Sequence, residues 1–270
     1  MELRDRVAVV TGGASGIGRA MALAFAEEGA RGVVVADLDG EGAERVAGEI
    51  GSSAIGLACD VIDDAQIGAV IDRARDAFGE IDLFCANAGI ALGVDLDAPL
   101  EQWDRVWQVN TRAHLLAARR LVPNWVERGE GYFLTTASAA GLVTQIGDGS
   151  YAVTKHAAVA FAEWLSVTYG GRGVRVSCLC PMGVDTPLLR GGLDSAGEEG
   201  LGARVVQAAG TLLQPEEVAD RVVQTIRDES FLVLPHPEVL EFFRRKASDY
   251  DRWIRGMQRL QATVSGAAGD

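Results

Sequence analysis

Seven short runs of β-branched and apolar residues punctuate the chain, at Val7–Thr11, Gly32–Ala36, Ala54–Cys59, Ile81–Ala86, Gly131–Thr136, Val174–Cys180 and Phe231–Leu234. Within each run hydrophobicity is nearly continuous rather than alternating. A strand covered on one face alternates and a strand covered on both does not, so the pattern calls for a parallel sheet between two layers of helix. The segments between the runs are long enough for crossover helices. Ile17–Glu28 is Ala-rich and is followed by Gly29, and Asp63–Phe78 carries Ile67, Val70, Ile71, Ala74 and Phe78 on helical spacing before Gly79. Both glycines suit a helix C-terminus. Leu100–Arg128, Ser150–Tyr169 and Pro215–Arg227 follow, the first interrupted late by Pro123. Trp103 and Trp107, four apart, with Leu115, Leu116 and Leu121, read as a core stripe on that long helix. Alternating strand and helix predicts an α/β fold, a single doubly wound domain over residues 1–270 with a mostly seven-stranded parallel sheet.

Two stretches stand outside this rhythm. Leu188–Gly210 holds six glycines with Asp194, Glu198 and Glu199 and no sustained period, which suggests a flexible substrate lid. Residues 237–262 mix Trp253, Ile254, Met257 and Leu260 with many arginines and read as an amphipathic extension. It would cover the substrate end or meet another subunit.

The first run passes straight into Thr11-Gly12-Gly13-Ala14-Ser15-Gly16-Ile17-Gly18 and then a helix. Glycines permit a tight turn and a close approach of backbone to a pyrophosphate, while the helix N-terminus offers free N–H groups and partial positive charge. Asp37 ends the second run, 19 residues after Gly18, where a carboxylate can accept both ribose hydroxyls of an adenosine. Strand, turn, helix and acid together imply a Rossmann-type dinucleotide site.

A second constellation is Tyr151-Ala152-Val153-Thr154-Lys155, which puts a phenol and an ammonium one turn apart on one helical face. A phenol ordinarily titrates near 10, and neighbouring positive charge favours phenolate. Such a pair is a candidate general acid/base. It follows a strand ending Thr135-Thr136-Ala137-Ser138 and lies about 140 residues beyond the phosphate turn.

The spacing T-G-x-x-x-G-x-G, the Asn87-Ala88-Gly89 after the fourth run, Ser138 beyond the fifth, and Y-x-x-x-K resemble the short-chain dehydrogenase/reductase family over nearly the whole chain. The resemblance implies an NAD-dependent oxidoreductase acting on a secondary alcohol or ketone. It makes Tyr151 the general acid/base, assisted by Lys155, Ser138 and Asn110, the last supporting a proton relay through water. It carries the cofactor over to Gly12, Ser15, Gly16, Ile17, Gly18, Asp37, Asp60, Val61, Asn87, Ala88, Gly89, Tyr151, Lys155, Val184 and Thr186. Ser15 and Leu38 stand where NADP-using relatives place basic residues, so NAD is the expected cofactor. Two positions depart from the family pattern: Ala86 replaces an asparagine before Asn87, and Met182 replaces the glycine after Pro181. The loop beyond Ser138, with Ala140 and Gln145, would border the substrate together with Met182 and Leu188. Its apolar content suggests a hydrophobic or ring-bearing alcohol rather than a sugar. The resemblance also implies a homotetramer or homodimer through helices 100–128 and 150–170.

The net charge of −13 argues against nucleic acid or an anionic membrane as partner. Met1–Arg6 lacks the apolar stretch of a signal peptide, and no apolar run approaches the roughly 20 residues of a membrane span. A cytoplasmic location is the expectation. Cys59, Cys85, Cys178 and Cys180 read as reduced core residues, and with His114, His156 and His236 they show no spacing of a metal site. A catalytically inactive, dinucleotide-sensing protein of the same fold is the alternative. It would be expected to lose the tyrosine or lysine, and this chain keeps both.

Overall fold

The structure is a computed structural model, and it describes residues 1–93, 95–195 and 200–265. Strands and helices alternate as β1 (Val7–Thr11), α1 (Gly16–Glu27), β2 (Gly32–Asp37), α2 (Gly40–Ile50), β3 (Ala54–Ala58), α3 (Asp64–Phe78) and β4 (Leu83–Ala86). Then come α4 (Leu100–Trp107), α5 (Ala113–Arg128), β5 (Gly131–Thr136), α6 (Ala140–Val143), α7 (Gly149–Tyr169) and β6 (Val174–Leu179). The chain continues through α8 (Pro187–Asp194), α9 (Leu201–Ala209), α10 (Pro215–Asp228), β7 (Leu232–Val233), α11 (Glu238–Ser248) and α12 (Tyr250–Val264).

The seven strands form one all-parallel sheet in the order β3-β2-β1-β4-β5-β6-β7. Its central residues are buried on both faces. Val7, Val9, Phe84 and Phe133 pack into the layer of α3, α5 and α7, while Ala8, Val10, Val33 and Leu134 meet α1 and α10. That two-sided burial is the reason the runs do not alternate. Chain order reverses between β1 and β4, so a crevice opens over their carboxyl ends.

Several elements differ from the sequence reading. Helix α2 is absent from the sequence reading: Asp39 caps it, its Oδ1 accepting the Gly42 N–H at 2.9 Å, but its buried apolar residues are only Ala43, Val46 and Ala47. The long helix is split by a π-helical turn over Gln108–Arg112. Pro123 sits inside α5 without ending it. Trp107 and Leu115 are exposed rather than core, and only Leu116 and Leu121 of that stripe are buried.

The stretch 188–210 is not a period-less loop. Pro187 opens α8 behind Thr186, whose hydroxyl accepts the Leu189 N–H, and α9 follows; residues 196–199 lie outside the described part. Glycines masked the helical spacing of Leu188, Leu189, Leu201 and Val205. In the C-terminal extension, Met257 and Val264 of α12 pack on a small cluster of Ile146, Leu201 and Val205, so α12 backs α9.

Candidate active site

The turn after β1 is built without side chains for a steric reason. Gly12 has φ +64°, and a Cβ on Gly18 would lie 2.0 Å from the Gly12 carbonyl oxygen. Only glycine at 18 lets α1 close on its own turn. Asn87, at the end of β4, fastens that turn from the other side of the crevice. Its Nδ2 donates to the carbonyls of Thr11 (3.0 Å) and Gly12 (3.3 Å), while its own N–H donates to Thr11 Oγ1. Asp37 closes β2 at the rim, where one carboxylate oxygen accepts the Ala14 N–H at 2.9 Å and the other the Asp39 N–H at 3.0 Å. Acidic Asp37 is thereby fixed beside the glycine turn.

From here a cleft of about 780 Å3 runs across the carboxyl ends of the strands. Gly12, Ser15, Gly16, Ile17, Gly18, Asp37, Asp60, Val61, Asn87, Ala88, Gly89, Val184 and Thr186 all line it, as do Ser138, Tyr151 and Lys155. Residues from seven separate stretches of sequence thus share one cavity. Gln145, Met182 and Leu188 line it too, but Ala140 does not: it is buried where the loop turns into α6, and its N–H donates to Ser138 Oγ at 3.1 Å. Its expected substrate contact is therefore corrected to a backbone contact that positions Ser138.

Tyr151 occupies the first turn of α7. Buried Asp148 sets that turn, one oxygen accepting the Tyr151 N–H and the other the N–H groups of Leu92 and Gly93. Lys155 is buried one turn on, its Nζ donating to the Thr136 carbonyl at 3.0 Å and lying 5.5 Å from the Tyr151 ring centre. Burial brings the Lys155 ammonium down to about 8. Burial raises the Tyr151 phenol above its ordinary 10; a hydrogen bond from Ser138 opposes this, and Asp148 adds to it. In the protein alone, desolvation therefore outweighs the lowering expected from the neighbouring lysine.

Asn110 is fully buried in the π-helical turn. Its Oδ1 accepts the Ile90 N–H and its Nδ2 donates to the Ile90 carbonyl, each at 2.9 Å, so its side chain braces the loop leaving Gly89. A side chain on Gly89 would come within 3.4 Å of both the Lys155 ammonium and the Asn110 amide oxygen. Sequence reasoning missed Ile90, Val109, Arg105, Asp148 and Val206 as lining residues. Only Asp148 carried a signal, as an acid three residues before Tyr151 at a helix start.

One turn beyond Asn110, His114 is buried, and neither ring nitrogen meets a partner among the described residues. Burial, with the nearby Lys155 charge, brings its pKa to about 3 from 6.5, so it is held neutral. An unpaired buried polar group costs about 1–3 kcal/mol. His114→Leu is therefore expected to stabilise the fold by about that amount at pH 7. The acid limb should change as well. The unfolded chain binds a proton below 6.5 that the folded one refuses until about 3, so stability falls through that window by up to ~1.4 kcal/mol per pH unit. The leucine variant should lack that share of the slope, and urea unfolding at pH 7 and pH 4.5 measures both effects. Equal wild-type and variant stabilities at both pH values would contradict the assignment.

The family model described as short chain dehydrogenase matches residues 6–194. The chain is 37% identical over 261 residues to a 1-deoxy-11-beta-hydroxypentalenate dehydrogenase of Streptomyces exfoliatus, covering 94% of this chain and 91% of the other. It is 36% identical over 238 residues to the cis-4-hydroxycyclohexanecarboxylate dehydrogenase of Sinomonas cyclohexanicum, covering 85% and 92%. Among solved structures, a short chain dehydrogenase/reductase from Burkholderia phymatum in complex with NAD superposes with a TM-score of 0.84 at 30% identity, over 93% of this chain and 96% of that one.

Proposed function

The chain belongs to the short-chain dehydrogenase family, and on that premise we propose that it transfers a hydride between NAD and the carbinol or carbonyl carbon of a hydrophobic, ring-bearing secondary alcohol or ketone. The observation that carries this reading is the meeting of Ser138, Tyr151 and Lys155 in the cavity that also contains the glycine turn and Asp37. The relatives support it, since two of them are named as dehydrogenases of a hydroxypentalenate and of a hydroxycyclohexanecarboxylate.

The residues present fit a dinucleotide. The turn from Gly12 to Gly18 would take the pyrophosphate, Asp37 the adenosine ribose, and Asp60 and Val61 the adenine. Asn87–Gly89 and Lys155 would hold the nicotinamide ribose, and Val184 and Thr186 the carboxamide. When bound, the cofactor supplies the hydride acceptor or donor. The protein supplies the proton chemistry. Tyr151 Oη takes the hydroxyl proton of the alcohol during oxidation and returns it during reduction. Ser138 Oγ donates to the same substrate oxygen and holds it beside Tyr151. Lys155, lowered to about 8, can pass a proton onward near neutral pH. Leu92, Met182, Leu188 and Val206 give the substrate end an apolar wall.

A screen of aliphatic, terpene and steroid secondary alcohols for NAD reduction tests the reading. Turnover rising with ring content supports it, whereas tight NAD binding with no turnover on any alcohol would favour a sensing role.

We assign α8 and α9 to a lid. Gly191, Gly192, Gly202 and Val206 line the cleft, and Gln145 Nε2 ties the catalytic loop to α9 by donating to the Gly202 carbonyl at 3.2 Å. Closing such an element would shield the hydride path. Amide hydrogen exchange across these helices should slow when NAD and a substrate analogue are both present. Equal exchange rates with and without them would remove the lid.

Leu115, Trp164 and Val167 on α5 and α7, with Trp107 at the end of α4, are exposed apolar residues, and their exposure supports the reading that this face pairs subunits. Light scattering should report a dimer or tetramer, and a monomer would remove that assignment.

A further inference from the structure

Helix α11 is fastened at both ends by buried side chains that reach the two walls of the active site. At its start, His236 is 2% exposed and uses both ring nitrogens on the nicotinamide-side loop. Nδ1 accepts the Met182 N–H at 3.2 Å, which requires Nδ1 to be unprotonated; the proton therefore sits on Nε2, which donates to the Gly183 carbonyl at 3.0 Å. Met182 and Val184 of that loop line the cleft. The His236 carbonyl in turn accepts the Val239 N–H and so begins α11.

At the far end of α11, Lys246 is 7% exposed and reaches the other wall. Its Nζ donates to the Leu142 carbonyl in α6 at 2.8 Å and lies 3.2 Å from His156 Nε2. His156 Nδ1 lies 2.8 Å from the Ala152 carbonyl, which can only accept. The imidazole proton therefore sits on Nδ1, and Nε2 accepts from the ammonium. Both anchor points are backbone or side chain of the block that carries the reacting groups: Leu142 lies four residues past Ser138, and His156 is next to Lys155. Val239, on the first turn of α11, is fully buried in the main core and pins the helix between its ends.

We propose that α11 is a strut that fixes the spacing between the nicotinamide-side loop at Met182–Val184 and the Ser138/Tyr151 block, with His236 and Lys246 as positioning residues. This rests on the hydride-transfer reading above. Hydride transfer depends on donor and acceptor carbons being held within a few tenths of an ångström, and a misplacement of about 1 Å can cost about a hundredfold. His236 sits just before α11 and Lys246 in its last turn, ten residues on, and a helix of about that length spans roughly 15 Å. Independent sites at that separation contribute additively to a loss, whereas two ends of one strut do not, because releasing either end releases the spacing.

The test uses the full chain with NAD and the best alcohol from the screen. His236→Phe keeps the ring volume and removes both hydrogen bonds, Lys246→Met keeps the stem and removes the charge, and His236→Asn restores an acceptor for the Met182 N–H. Each of the first two should lower kcat at saturation by roughly ten- to a hundredfold, with NAD affinity little changed. The kinetic isotope effect of a carbinol-deuterated alcohol should rise as hydride transfer becomes the slow step. The double variant should be no slower than the slower single one, and His236→Asn should recover much of the loss. Hydrogen exchange reads the strut without turnover: Met182–Val184 and Ala140–Val143 should both lose protection in either single variant. If losses add, if each variant loosens only its own end, or if only the melting temperature moves, the strut is wrong. A wild type that binds NAD yet oxidises no alcohol would instead end the hydride-transfer reading, and the exchange measurement would still decide the strut.

Discussion

Tyr151→Phe is expected to lower kcat/KM by roughly a hundred- to ten-thousand-fold, the range lost when a general acid/base is removed. The substitution keeps the ring that packs beside Lys155 and deletes one oxygen, so fold and NAD affinity should be preserved. Its pH behaviour is a second signature. Burial holds the Tyr151 phenol above its ordinary range, so in oxidation the proton-accepting form becomes more populated as pH rises. Wild-type oxidation should climb with pH and reduction should fall, whereas residual activity of the variant should lose the part of that slope due to the phenol. Steady-state rates in both directions across a pH series, with calorimetric titration of NAD, measure all of this. A phenylalanine variant turning over a good substrate at the wild-type rate would remove Tyr151 from the chemistry.

The second large effect concerns cofactor choice. Asp37 is held at the cleft rim beside the glycine turn, where its carboxylate would meet the adenosine ribose. Hydrogen bonds from ribose hydroxyls to a carboxylate are worth about 1.5–3 kcal/mol each. The additional phosphate of NADP would face the same carboxylate. At about 5 Å and an effective dielectric of about 20, the repulsion is about 3 kcal/mol per pair of unit charges, a hundredfold or more in binding. The local cations are committed elsewhere. Arg19 pairs with Glu49 at 2.5 Å, Arg45 lies 3.4 Å from Asp39, and Leu38, 66% exposed, offers no charge. Wild type should therefore favour NAD over NADP by about two orders of magnitude in kcat/KM, and Asp37→Ala should collapse that ratio. A wild type that prefers NADP, or an alanine variant with an unchanged ratio, would overturn the assignment.

What could be read from sequence follows from what leaves a local signature. Strands buried on both faces are apolar throughout, so all seven were visible, although β7 shrinks to Leu232–Val233 at the sheet edge. The glycine turn, Asp37 and the Tyr151/Lys155 pair were visible because each is a short stretch whose spacing is fixed by its chemistry. Helix α2 was hidden by its thin apolar stripe, and α8 and α9 by their glycines. The bracing of Ile90 by Asn110 and the two grips of His236 join residues 20 and 53 or 54 positions apart, through backbone groups that have no sequence signature. For the same reason the sequence puts Ala140 at the substrate: the apolar loop is legible, but not the turn that rolls Ala140 inward.

The strand order also bears on how the chain is made. From β4 onward, each new strand is laid at the outer edge of the one before it, β4 then β5, β6 and β7. The first four strands in sequence occupy one half of the sheet by themselves, β3-β2-β1-β4. A chain leaving the ribosome can therefore assemble the glycine turn, Asp37 and Asn87 into one unit once residue 87 has emerged, and grow the sheet outward without re-pairing any strand. Until β5 arrives, the exposed edge of β4 is the sticky side of that nascent half, and Phe84 and Cys85 lie on it. Synthesis stalled shortly after Asn87 should thus yield an aggregation-prone but already nucleotide-shaped fragment, with the proton-transfer residues still to be translated.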